Sequence, residues 1–187
     1  MNAIDSVEEW NSIYTEEWIN IISYPETKGF VATHKLKVAD NISRTGIAAE
    51  VNACNELAMS GKQVLRLPEN VLSAIDDIII DGKKYRELLK FKPGEIKPRG
   101  YPAAYFDGQT WDFKAPLYNK VESIRKLIKD GRKADNIIFI VNDKQNVDMI
   151  ESAIKCEIRT RTKNHSWAEL PNIFYLTNGR IVCIWKK

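Results

Sequence analysis

Asn136 to Val141 reads NIIFIV, and after Asn136 no polar residue interrupts the run. A strand with one face in water alternates apolar and polar side chains, so an unbroken apolar run of this length predicts a strand covered on both faces. Covering both faces needs further layers, and the neighbouring sequence supplies them. Val121 to Lys133 places Val121, Ile124, Leu127 and Ile128 as one stripe of a basic helix, and Asn146 to Lys155 reads as a second helix. The fold class expected from this segment is α/β, with a mixed sheet flanked by helices.

The rest of the chain extends the pattern. GFVATHKLKV (Gly29 to Val38) and KQVLRLP (Lys62 to Pro68) read as strands, and Ile47 to Ser60 as a helix closed by Gly61. IDDIIIDGKKYRELLKF (Ile75 to Phe91) has the pattern of a hairpin around Asp81-Gly82, and NIFYLTNGRIVCIWK that of a hairpin turned by Asn178-Gly179. In YPAAYFDGQTWDFKAP (Tyr101 to Pro116), Asp107-Gly108 joins two strands, so that Thr110, Asp112 and Lys114 face one way and Trp111 and Phe113 the other. At the N-terminus, residues 5 to 23 space Val7, Trp10, Ile13, Tyr14, Trp18, Ile21 and Ile22 as an amphipathic helix. Ser6 and Glu9 form a capping box there, and Pro25 is the stop. The expected organisation is an N-terminal helical extension, 1–43, followed by one domain, 44–187.

An acid and an amine side by side on a strand face suit phosphodiester hydrolysis. A carboxylate holds a hard divalent cation, and a lysine orients water or offsets the charge that develops on the phosphate. Asp112-Phe113-Lys114 alone is common on exposed strands. Its surroundings add more: EVNACNELAMSGKQVLRLP (Glu50 to Pro68), then YPAAYFDGQTWDFK, then KADNIIFI (Lys133 to Ile140). In order and intervening residue types, this arrangement over about Ile47 to Val141 resembles the PD-(D/E)XK, restriction-endonuclease-like nuclease domains. Within that group it is most similar to those of bacterial polymorphic and contact-dependent growth inhibition toxins and related phage-encoded domains.

The resemblance implies a metal-dependent endonuclease. Glu50, Asp112 and an acid at position 103 would hold one or two Mg²⁺-type ions, with Mn²⁺ or Zn²⁺ as alternatives, and Lys114 would serve the attacking water or the scissile phosphate. It also implies RNA as substrate, tRNA in particular, with DNA as the other choice. A cognate immunity protein, and action in the bacterial cytoplasm after delivery within a larger secreted toxin, follow from the same likeness. One position departs from the family pattern: the proline of the motif, Pro102, is followed by Ala103 where an acid is called for. An exchange made there to silence a toxic enzyme is the simpler explanation. The others are natural inactivity, which would leave a binding module, or a substitute ligand from Asp107 or from Asp76 and Asp77.

Charge and cysteine usage bound the alternatives. The chain of 187 residues carries a formal charge of +3, and its cations cluster in IKPRG (Ile96 to Gly100), KLIKDGRKADN (Lys126 to Asn136) and KCEIRTRTKNHSW (Lys155 to Trp167). Such runs permit a nucleic-acid partner, with Lys126, Arg132, Lys133, Arg159, Arg161 and His165 as candidate contacts. A metal-free ribonuclease would instead rely on His165 with Arg159 and Arg161, or on His34 and His165 as an acid-base pair. Cys54, Cys156 and Cys183 lack the spacing of a zinc cluster or a disulfide frame. No run approaches the roughly 18 apolar residues of a membrane span, and MNAIDSVEEWNSIY lacks the basic and apolar regions of a secretory signal.

Overall fold

The computed structural model describes residues 17–37, 45–69, 71–116, 120–141, 144–163 and 170–186. Within them the strands are β1 Trp18–Tyr24, β2 Gly29–His34, β3 Gln63–Arg66, β4 Ile79–Ile80, β5 Lys83–Lys84, β6 Ala104–Phe106, β7 Gln109–Lys114, β8 Asn136–Ile140, β9 Asn172–Thr177 and β10 Arg180–Trp185. The helices are α1 Thr45–Met59, α2 Tyr85–Leu88, α3 Val121–Asp130 and α4 Lys144–Lys163, and a 3₁₀ turn, Gly131–Lys133, follows α3. Eight strands form one sheet in the order β1-β2-β3-β6-β7-β8-β9-β10, and β4 and β5 form a separate pair. The large sheet is mixed: β2–β3, β7–β8 and β8–β9 are parallel, and the other four pairings are antiparallel.

The apolar run becomes β8, an inner strand, and its side chains feed two cores. Ile137 and Phe139 meet Ile124 and Ile128 of α3, Ile150, Ala153 and Ile154 of α4, and Ile173 of β9. Ile138 points the other way, to Ala53, Cys54, Leu57 and Ala58 of α1 with Val31, Val64, Ala104, Phe106 and Trp111. Fully burying an isoleucine stabilises the fold by roughly 1.5–3 kcal/mol, so neither face of this strand could be left bare. A third cluster lies beyond β6. There Trp18, Ala32, Leu65, Leu67 and Tyr105 are covered by Ile75, Ile78, Ile80, Tyr85 and Leu89 from the segment between β3 and β6.

Two expectations need correction. Residues 18–23, expected as the end of a helix, lie in β1, which pairs antiparallel with β2; residues 5–16 of that helix lie outside the described residues. WINIISY is rich in β-branched and aromatic side chains, and the turn at Pro25–Lys28 folds it back on β2, so sheet pairing outweighs a helical spacing. A register shift between Ile19 and Ile22, with Asn20 at φ 52°, reconciles apolar residues at uneven spacing with one strand. The described part of 1–43 is therefore continuous with the main sheet and is not a helical appendage. The second correction concerns Ile75 to Phe91. Only a two-residue ladder forms around Asp81-Gly82, and the chain then enters α2, whose Tyr85 is fully buried and donates to the Pro68 carbonyl at 2.8 Å.

Candidate active site

The β6–β7 hairpin sets the geometry. Asp107 and Gly108 both take positive φ, 51° and 75°, the pattern of a two-residue turn that matches strand twist and fixes register. Ala104 pairs with Trp111, Tyr105 with Thr110 and Phe106 with Gln109. The row of pairs ends at Ala104 and Trp111: Ala103 lies just past it, its N–H donating to the Trp111 carbonyl and its own carbonyl accepting the Leu67 N–H, both at 2.9 Å. In the neighbouring ladders Ala104 pairs with Arg66, which sets Leu67 beside Ala103, and Asp112 pairs with Ile137. Cross-strand neighbours share a sheet face. Asp112 and Ile137 thus share a face, a carboxylate beside an apolar side chain. Parity fixes the other face, where Trp111 stacks on Phe106 at 4.4 Å and donates its indole N–H to the Phe106 carbonyl.

Asp112 is 3% exposed. Its Oδ2 lies 2.8 Å from the Lys114 ammonium and its Oδ1 3.4 Å from that of Lys133. Oδ2 nevertheless has no hydrogen bond, because Lys114 approaches off the donor direction; it is an ion pair without a directed bond. The close approach of the α3 terminus to β7 and β8 depends on Gly131. A Cβ there would stand 2.3 Å from Ile137 Cδ1 and 3.6 Å from Asp112 Oδ2. Thr110, on the same face, is tied to Asp135 through its backbone N–H at 3.1 Å and its hydroxyl at 2.7 Å. These bonds hold the strand that carries Asp112 against the 3₁₀ turn.

Glu50 belongs to a second cluster. It sits on α1, which packs on the Trp111 face, and pairs with Lys37 at 3.1 Å and Arg66 at 3.2 Å. The buried Lys37 ammonium also meets Glu69 at 3.0 Å and donates to the Ala103 carbonyl at 3.3 Å. Three N–H donors thus meet two carboxylates and one carbonyl. The structure does not bring Glu50 to Asp112 directly; it connects them through Lys37 and the backbone of Ala103. Burial, and then the charge of Glu50, push the Cys54 thiol up to about 12, which excludes it as a thiolate nucleophile.

These residues do not fit a divalent ion as they stand. Asp112 is one buried carboxylate with two ammonium groups beside it, Oε1 of Glu50 is taken by Lys37 and Arg66, and Ala103 offers only a methyl group. Among the described residues no three His, Cys, Asp or Glu side chains come together as a metal site. The proposed substitute ligands do not help. Asp107 is five residues from Asp112, at the far end of the hairpin, roughly 15 Å along the strand, and pairs with Lys62 at 2.7 Å. Asp76 is exposed and held by Arg86 at 2.6 Å, which lowers its pKa.

The candidate nucleic-acid contacts divide. Lys126 and Arg159 are exposed, whereas Arg132 caps the Lys129 carbonyl at 3.0 Å and Lys133 joins the Asp112 cluster. Arg161 is a correction: it is 6% exposed and packs beside Glu157, a buried acid that also receives Arg125 at 2.8 Å and so joins α3 to α4. His165 lies outside the described residues. His34 is 1% exposed, its Nδ1 accepts the Leu36 N–H at 3.2 Å, and Trp18 lies edge-on to it, so it has no access to a substrate. Sequence reasoning missed Lys37, Arg66 and Glu69. The one local sign was that Lys37 and Glu69 stand just past strand ends, where charge is often drawn into a site.

No family model, curated protein or solved structure matches the chain.

Proposed function

We propose that the chain is a restriction-endonuclease-like nuclease domain, built to hydrolyse RNA, with tRNA favoured, and inactive in this form because Ala103 stands where an acid belongs. The observation that carries the reading is the buried Asp112 with the Lys114 ammonium 2.8 Å away on the same strand, while Ala103, at the end of the facing strand, bonds to the carbonyl of Trp111, the residue before Asp112. Apolar surroundings are a poor place for a lone carboxylate, since a buried charge costs several kcal/mol unless it is compensated. A second carboxylate at 103 would add to Asp112 the further oxygen donors that a hard divalent cation takes. In this form Lys114 and Lys133 neutralise Asp112, and both are positioned to receive a phosphate beside it. The same reading carries an immunity protein as partner and action in the bacterial cytoplasm after delivery from another cell. Among the described residues no helix is long and apolar enough to cross a membrane.

The test is Ala103→Asp, assayed with Mg²⁺, Mn²⁺ and Zn²⁺ in turn on tRNA and on plasmid DNA. Cleavage of tRNA that EDTA stops supports the reading, and cleavage of plasmid alone transfers it to a DNase. An inert Ala103→Asp protein that is folded by circular dichroism overturns it. A second reading, a catalytically dead binding module, draws on the Lys37 cluster, in which Glu50 is already neutralised by the chain itself. It predicts nucleic-acid or protein binding with no cleavage even after the exchange.

A further inference from the structure

Residues 90–99 form a small cationic arm on the side of the 3₁₀ turn that carries Lys133. Its stem is fixed at several points. Phe91 and Pro98 form an antiparallel bridge, and the Arg99 N–H donates to the Lys90 carbonyl at 2.7 Å. Phe91 packs on the core below Tyr85 and Leu89, with the Arg86 guanidinium 5.5 Å above its ring. Lys90 donates to the Ala134 carbonyl and pairs with Asp135 at 3.2 Å. Where the arm rejoins the sheet, Gly100 lies so near Lys133 that a Cβ would meet its Cδ at 3.0 Å. The stem therefore contacts the segment whose Lys133 touches Asp112.

The arm ends in a tight turn. Pro93 and Gly94, the latter at φ 78°, sit at its centre, and the Glu95 N–H donates to the Lys92 carbonyl at 3.0 Å, as in a type II turn. Just past it is Ile96, 78% exposed, with exposed Lys97 next to it and exposed Lys92 across the turn. Within these ten residues there are four cations, Lys90, Lys92, Lys97 and Arg99, and one acid, Glu95, which pairs across the turn with the exposed Lys92 at 3.2 Å. Holding an isoleucine in water on a fixed stem, between lysines, gains the fold nothing. It suits a partner with phosphates at its rim and apolar faces within, since apolar side chains such as isoleucine wedge against bases while lysines neutralise the backbone.

We infer that residues 90–99 are a nucleic-acid-gripping arm, in which Lys92 and Lys97 hold phosphates and Ile96 packs against an unstacked base, leading the strand towards Asp112 and Lys114. The inference rests on the nuclease reading for its substrate, but it is tested in the Ala103 protein, where binding is read without cleavage. A fluorescein-labelled single-stranded RNA of about 20 nucleotides is titrated by anisotropy at several salt concentrations, with single-stranded DNA of the same sequence beside it. The Lys92→Gln/Lys97→Gln variant should weaken binding about tenfold and flatten the slope of log affinity against log salt by roughly 1.4, the value for two single-strand phosphates. Ile96→Ser should weaken it several-fold with the slope unchanged, because a base contact releases no counterions. Lys186→Gln, at an exposed lysine just past β10, should leave affinity within about twofold. All four positions are exposed, so melting temperatures should not move. Arm variants that bind RNA like the parent overturn the inference. So does a parent that binds no nucleic acid, or one whose arm variants lose only binding to vesicles rich in phosphatidylserine, which would make the arm a membrane contact. An inactive but RNA-binding Ala103→Asp protein would sink the nuclease reading and leave the arm standing.

Discussion

Ala103→Asp should destabilise the protein in the absence of divalent ions, and the geometry sets the size of the effect. Cross-strand neighbours, from opposed to diagonal, have side chains about 5–7 Å apart, so a carboxylate at 103, just past the last pair of the ladder, would stand roughly 5–7 Å from that of Asp112. At an effective dielectric constant near 20, two like charges at that distance repel by about 2–3 kcal/mol. Lys37, 3.3 Å from the Ala103 carbonyl, and Lys114, 2.8 Å from Asp112, reduce this, while desolvation of the new charge adds to it. The net cost should be about 2–3 kcal/mol, or roughly 5–10 °C in melting temperature for a chain of this size. Ala103→Asn, matched in shape and uncharged, separates charge from volume. Thermal unfolding followed by circular dichroism in EDTA should place Ala103→Asp well below Ala103→Asn. An ion bound at about one hundred times its dissociation constant should restore about 2.7 kcal/mol. Equal stabilities for the two variants, together with no response to Mg²⁺ or Mn²⁺, would show that a side chain at 103 does not approach Asp112.

Burial lowers the pKa of His34 to about 4, with a smaller contribution from Lys35, so between pH 6.5 and 4 the unfolded chain takes up a proton that the folded chain refuses. Urea unfolding should therefore show stability falling by roughly 3 kcal/mol across that window, and His34→Phe should remove most of the fall. Lys114→Met should cost about 2–4 kcal/mol because it strips a partner from a buried carboxylate, whereas Lys114→Met/Asp112→Asn should cost less than the single change; a double cost equal to the sum of the Lys114→Met and Asp112→Asn costs would mean the pair is not coupled. Glu157→Gln should lower stability by about 3 kcal/mol through Arg125 and Arg161, and Arg161→Gln should change melting temperature and leave RNA affinity unaltered, the reverse of a phosphate contact.

What could be read in advance was whatever short-range physics decides. NIIFIV needs cover on both faces wherever it lies, and Asp107-Gly108 and Asn178-Gly179 turn strands because positive φ is cheap there; the structure agrees at each. The faces of β7 followed from a period of two. Trp18 to Ser23 failed for the complementary reason: its apolar residues fit a helical spacing nearly as well as a strand, and pairing with β2 decided the matter. The Lys37 cluster was hard to read because residues 37, 50, 69 and 103 meet only through α1 and three strands, and the one local mark is that Lys37 and Glu69 stand just past strand ends. The gap at Ala103 was visible only through resemblance, since alanine by itself signals no missing group.

The account turns on whether an acid at 103 completes a cation site with Asp112. Manganese bound to the protein is counted directly by electron paramagnetic resonance of the free ion. Ala103→Asp should take up one Mn²⁺ per chain at submillimolar concentration, while the Ala103 protein and the Ala103→Asp/Asp112→Asn variant take up none at that concentration. Equal uptake by all three, or none by Ala103→Asp in its folded state, would contradict the account.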